Sequence, residues 1–126
     1  MSRKALVFFV ITGVILLIVW EIYVGWYAPK SHITLIIHYN LDKLMHVVGG
    51  AVITAILGLI MGPRRFVSLI IIVIFVSVAW EGAELLFDRL TQEFYRKSIG
   101  LWLEDTAGDA FFALIGALAA TRFVKK

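Results

Sequence analysis

Three apolar runs carry ionisable side chains where hydrocarbon-compatible residues would be expected. The first opens Asn40-Leu41-Asp42-Lys43-Leu44-Met45-His46. On a helix Asp42 and His46 are i,i+4 and share a face, with His46 about 6 Å deeper. Asn40 is the expected N-cap, and Asp42 in the first turn suits the helix dipole. The second run ends Trp80-Glu81-Gly82-Ala83-Glu84 and reaches Asp88 two residues after Leu86. Glu81 and Glu84 are i,i+3; Asp88 belongs with the headgroups. The third opens Leu101-Trp102-Leu103-Glu104-Asp105-Thr106-Ala107-Gly108-Asp109. Asp105 and Asp109 share a face, Glu104 points elsewhere, and Asp109 lies about 13 Å in from Gly100. No opposite charge is near Asp109 in sequence, so its partner must come from another helix. Taken singly, Asp42 reads equally well as a helix-start carboxylate, and a lone histidine as a hydrogen-bonded packing residue. A carboxylate one turn away favours a functional histidine.

A charged group inside a span costs roughly 2.5–3.5 kcal/mol on insertion scales. Convergence of Asp42, His46, Glu81, Asp105 and Asp109, with Lys43 and Glu84 in support, would make one anionic pocket. Its carboxylates cannot all ionise in a dry site: protons, His46 or Lys43, or a bound cation must offset them. Oxygen ligands from Glu81, Asp105 and Asp109 favour Mg²⁺, Ca²⁺ or Mn²⁺ over a soft metal. Histidine beside carboxylates also suits general acid–base work, with Asp42 orienting His46. There is no G-x-S-x-G elbow, no H-E-x-x-H and no P-loop, so serine-hydrolase, zincin and nucleotide chemistry are unsupported.

The elements that must hold these groups follow from composition. The chain has 126 residues, 61% hydrophobic and 17% charged, with mean hydropathy +0.93. That is too much apolar material for one small water-exposed domain. Four segments reach the roughly 20 apolar residues a spanning helix needs: 5–27, 41–61, 66–86 and 101–123. The expectation is an all-α integral membrane protein, one domain over residues 1–126, its four helices in a compact antiparallel bundle. Pro29 and Pro63 fall between spans. Arg3 and Lys4 before an apolar run resemble a secretory leader, but Trp26-Tyr27-Ala28 lacks a small-x-small cleavage pattern, so an uncleaved span is expected.

Orientation follows the bias of Lys and Arg in short loops. Arg3, Lys4, Arg64, Arg65, Arg122, Lys125 and Lys126 fall at one end with no acid. Lys30, Lys43, Arg89, Arg96 and Lys97 fall at the other, with every acidic residue. Both termini are therefore expected in the cytoplasm and the acidic end outside. All Trp (Trp20, Trp26, Trp80, Trp102) and Tyr (Tyr23, Tyr27, Tyr39, Tyr95) residues map to the outer half, at headgroup level. The turn Gly62-Pro63-Arg64-Arg65 makes spans two and three neighbours. The 31–40 segment, with Ile33-Thr34-Leu35-Ile36-Ile37, and the 87–100 loop suit the interface. Gly49, Gly50, Ala55, Gly58 and Gly62 on span two, and Ala107, Gly108, Gly116 and Ala120 on span four, permit close helix approach within the chain. No basic, aromatic-studded face suits nucleic acid, and the absence of cysteine removes disulfides and thiolate metal sites.

The sequence Asp42-Lys43-x-x-His46 at a span's outer start, an acidic end to span three, and Asp105-x-x-x-Asp109 followed by Gly116 resemble the VanZ-like membrane family. Asp109 takes the place of that family's Asn, and Phe112 that of its first Gly, so the resemblance is to a divergent member. It covers spans two to four. It implies a compact helical core distantly similar to lipid-headgroup enzymes such as phosphatidylserine synthases, or a role like that of VanZ in glycopeptide resistance. Asp42, His46, Glu81, Asp105 and Asp109 fall on the motif positions.

The leading expectation is an enzyme that hydrolyses or exchanges lipid headgroups at the outer leaflet. His46 would be general base or nucleophile, Asp42 would orient it, and Glu81, Asp105 and Asp109 would bind a divalent cation or tune proton transfer. The alternatives are non-enzymatic binding of a lipid or cell-wall precursor, and a proton- or cation-coupled carrier, which four spans could form only as an oligomer.

Overall fold

The computed structural model describes residues 1–29, 31–32, 35–36, 40–61, 66–87, 91–92, 95 and 98–124. Helix α1, Arg3–Ile22, starts at Ser2, whose extended backbone lets the hydroxyl accept from Ala5 N at 3.2 Å. It runs on into a π-helical turn, Tyr23–Tyr27, closed by the Ala28 N–H on the Tyr23 carbonyl at 2.7 Å. Helices α2, Leu41–Met61, α3, Phe66–Phe87, and α4, Ile99–Val124, follow. All four, with α1 and its π-turn taken together, are long and apolar enough to cross a membrane. They match the spans expected from hydropathy to within a few residues. Apolar run length dictates them, since each backbone group in lipid must be satisfied within its own helix.

Asn40 differs from expectation. Its φ of 48° places it in the left-handed region, not the extended backbone of an N-cap. Its carbonyl, in a turn, accepts from Lys43 N at 3.2 Å. Asparagine tolerates this conformation better than most residues with a Cβ. Several expectations lie outside the described residues: the Gly62-Pro63-Arg64-Arg65 turn, Ile33, Thr34, Ile37 and Tyr39 in the interfacial segment, Asp88, and the loop basic residues Lys30, Arg89, Arg96 and Lys97.

Helix α2 packs most extensively on α4 and next on α1, while α4 also covers α3. Glycine sets these approaches. A Cβ at Gly50 would fall inside the Ala113 carbonyl of α4, and one at Gly116 inside the Val47 carbonyl of α2. Backbone therefore meets backbone at both points, as the small residues led one to expect. Gly58 meets Val124, and Gly13 of α1 meets Val52. The helix starts meet at Lys43 and Asp105, and the later turns at Gly58 and Val124. So α2 and α4 run the same way, as alternate members of an antiparallel succession must. The Met1 ammonium lies 3.4 Å from the Phe123 carbonyl, which puts the described chain ends together, at the opposite end from Lys43 and Asp105.

Burial is inverted relative to a protein in water. Val73, Ala113 and Ala117 form a small core with Ile53, Leu69 and Leu114 against it. Phe8, Phe75 and Phe87 are exposed, whereas Thr54, Ser77, Glu81, Thr106 and Asp109 are buried. Large exposed side chains on every face suit a hydrocarbon solvent; buried polar ones must find partners inside the bundle.

Candidate functional site

The paired glycine contacts hold α2 and α4 close enough for side chains one to two turns above them to interlock. Lys43 reaches across from α2 and donates to Asp105 Oδ1 at 2.9 Å and to Asp109 Oδ1 at 3.0 Å. Asp42 Oδ2 stands 3.8 Å from the same ammonium. Asp109, with 2% of its side chain exposed, thus gains the partner on another helix that its depth demanded. The second oxygen of Asp105 accepts from the Tyr95 hydroxyl. Burial, then the hydrogen bond to Asp105 and its charge, raise the Tyr95 phenol far above its ordinary range, so it remains a donor.

His46 faces the other side of Asp109. Its Nε2 lies 3.3 Å from Glu81 Oε1 on α3 and 3.7 Å from Asp109 Oδ1. Glu81 Oε1 is fully shielded, and no donor among the described residues reaches it with hydrogen-bond geometry. The structure therefore brings together Asp42, Lys43, His46, Glu81, Asp105 and Asp109 from three helices. It divides them differently from the expected pairing along one helix. Asp42 belongs to the Lys43 side, and the carboxylates in ion-pair range of His46 come from α3 and α4. Glu84 pairs along its own helix, accepting from Trp80 Nε1 at 2.5 Å.

Composition and spacing missed Tyr95, which lies between α3 and α4, outside the apolar spans. They also missed Thr54, Ser77 and Thr106, whose buried hydroxyls have no hydrogen-bond partner among the described residues. Hydroxyls are ordinary enough in apolar helices that nothing in the sequence marked these.

The family model that describes a predicted membrane protein, DUF2238, matches residues 1–125. The chain belongs to the DUF2238 family. No curated protein and no solved structure matches it. This corrects the VanZ-like resemblance, and with it the inferred kinship to phosphatidylserine synthases and the link to glycopeptide resistance. An Asp-Lys-x-x-His or Asp-x-x-x-Asp spacing is what any helix needs to put two polar groups on one face. It discriminates families far less than a match over nearly the whole chain.

This DUF2238 protein is thus a multi-pass membrane protein with a buried His/carboxylate cluster. Two triads within the cluster could hold a metal ion, and Asp109 is common to both. One is His46, Glu81 and Asp109; the other is Asp42, Asp105 and Asp109. Within each, one ligand atom per residue lies within 4.8 Å of the others. Their donor sets differ: the first includes an imidazole, the second is all carboxylate and already surrounds the Lys43 ammonium.

Proposed function

We propose that this DUF2238 protein is an integral-membrane enzyme that acts on lipid headgroups, hydrolysing or exchanging a phosphodiester or related bond at the outer leaflet. The observation that supports this best is the vertical order of the cluster. Asp42 and Asp105, with 36% and 32% of their side chains exposed, form a rim beside Lys43, and Glu81 and Asp109 lie buried beneath. Lys43 within this rim could pair with a headgroup phosphate, with the reacting group about one helical turn deeper. That group is His46, flanked by Glu81 and Asp109, acting either directly as acid–base or nucleophilic group or through a cation held by these three residues. Exposed Trp26, Tyr27 and Trp80 lie toward the same end of the helices and would hold the glycerol and upper acyl region. The excess of Lys and Arg at the opposite end supports a site on the extracytoplasmic side.

The test is incubation of purified protein with mixed lipids, with and without divalent cations, followed by mass spectrometry. New headgroup species that disappear in His46→Ala are the expected result. Unchanged lipids with one lipid class retained through purification would replace the enzyme by a binding protein. Uptake into sealed vesicles without lipid turnover would replace it by a carrier.

A further inference from the structure

We propose that His46 Nε2, Glu81 Oε1 and one Asp109 oxygen form a single-ion site for a zinc-class divalent cation, and that the Lys43 ammonium occupies the adjoining Asp42/Asp105/Asp109 triad in place of a second metal. The inference names the cofactor for the reading above and rests on that reading for its purpose, though not for its measurement.

Charge, geometry and satisfaction agree. Glu81 and Asp109 are buried and carry two negative charges when ionised, while Lys43 and water offset Asp42 and Asp105 at the rim. Asp42 is exposed enough to be hydrated. One dication completes the balance, with two charges against Glu81 and Asp109, and Lys43 against Asp105. Bonds of about 2.0–2.1 Å at tetrahedral angles set ligand atoms roughly 3.3 Å apart. His46 Nε2 and Glu81 Oε1 are 3.3 Å apart and His46 Nε2 and Asp109 Oδ1 3.7 Å, and the three residues each offer a ligand atom within 4.8 Å of the others.

Glu81 supplies the independent sign of a ligand. Its carboxylate is 5% exposed, and its Oε1 lies in the cluster with no hydrogen bond from any of the described residues. A buried carboxylate oxygen of this kind calls for a proton, a donor or a cation, and a cation here would also reach His46 and Asp109. With the imidazole proton on Nδ1, the Nε2 lone pair faces the same point. An imidazole and two carboxylates favour zinc or manganese over Mg²⁺ and Ca²⁺, which prefer all-oxygen shells. Asp42, Asp105 and Asp109 would suit the harder ions, but Lys43 stands 2.9–3.8 Å from one oxygen of each. A metal entering there would have to displace it.

Full-length protein purified in detergent and stripped with chelator is titrated with Zn²⁺, Mn²⁺, Mg²⁺ and Ca²⁺. Bound ion is counted by elemental mass spectrometry, and helicity is followed by circular dichroism. One Zn²⁺ per chain is expected, with Mn²⁺ competing and neither Mg²⁺ nor Ca²⁺ displacing it. Glu81→Gln keeps the side-chain shape and should weaken binding at least tenfold; Lys43→Met should admit a second ion. No ion retained by helical wild-type protein, or Glu81→Gln binding as tightly, overturns the site. A folded Lys43→Met protein that still binds one ion overturns the role of Lys43. The two proposals fail separately. Lipid turnover by protein that elemental analysis shows to be free of ion removes the metal from the reaction and leaves the enzyme. Tight zinc binding without lipid turnover removes the enzyme and leaves the site.

Discussion

Replacing Lys43 with methionine keeps most of the stem's bulk and removes the ammonium that, among the described residues, binds α2 to α4. Both of its hydrogen bonds, at 2.9 and 3.0 Å, go to carboxylates, and Asp109 has 2% of its side chain exposed. Removing one member of a buried ion pair destabilises by about 3–5 kcal/mol, because the remaining charge is stranded. The lower end applies here, since 17% of the Lys43 side chain and 32% of Asp105 reach the surface and water can rehydrate Asp105. A loss of about 3 kcal/mol is therefore expected for Lys43→Met with chelator present, which keeps a metal from replacing the ammonium. The double variant Lys43→Met/Asp109→Asn removes the stranded charge and should recover about 1–2 kcal/mol of that loss. Reversible unfolding in mixed detergent micelles, followed by the fluorescence of the four tryptophans, reads both. A Lys43→Met loss below about 1 kcal/mol, or a double variant no more stable than the single, would refute the claim that Asp109 depends on Lys43.

Three further outcomes follow from packing and polar satisfaction. Gly50→Ala would bring a Cβ to 2.6 Å from the Ala113 carbonyl carbon and 2.9 Å from its Cα. The Cβ would also overlap the Ala113 carbonyl oxygen, so the helices must part by more than about 1 Å, costing about 3 kcal/mol and stretching the Lys43 bonds. Gly49→Ala, whose Cβ meets nothing within 4 Å, is the control, and unfolding titrations of both decide the matter. Tyr95→Phe removes a hydrogen bond to a carboxylate and should cost about 1–2 kcal/mol by the same assay, with helicity unchanged. Thr54→Val deletes a hydroxyl that is fully buried without a partner, and thermal unfolding should show equal or higher stability.

What was legible in the sequence is what lipid makes expensive. Runs of 20 or more apolar residues announced the four helices, because a chain in hydrocarbon has few other ways to satisfy its backbone. Asp109 announced itself as an anomaly, because a carboxylate more than two turns into a span needs a counter-charge. Its partner was less legible. Lys43 is 66 residues away, and which faces of α2 and α4 meet depends on how the helices rotate against each other. Gly50 and Gly116 fix that rotation by admitting the Ala113 and Val47 backbones, and their role shows only once the helices are packed. The expected pairing of Asp42 with His46 rested on spacing along one helix, whereas tertiary packing brought Glu81 and Asp109 to the imidazole.

Lys43 and the proposed metal ion would do different work at this end of the bundle. Lys43 is on a flexible stem and can follow small changes in the distance between α2 and α4, so it tolerates imprecise packing. A metal bound by His46, Glu81 and Asp109 would join α2, α3 and α4 at fixed bond lengths, and its affinity would fall steeply as the helices part. Gly50→Ala should therefore weaken zinc binding by a larger factor than Tyr95→Phe, even where the two lose similar stability. Tyr95 acts on Asp105, outside the His46/Glu81/Asp109 triad, whereas Gly50 sets the spacing between the helices that supply it. Equal effects on zinc affinity would mean that general loosening, and not the α2–α4 spacing, governs the site.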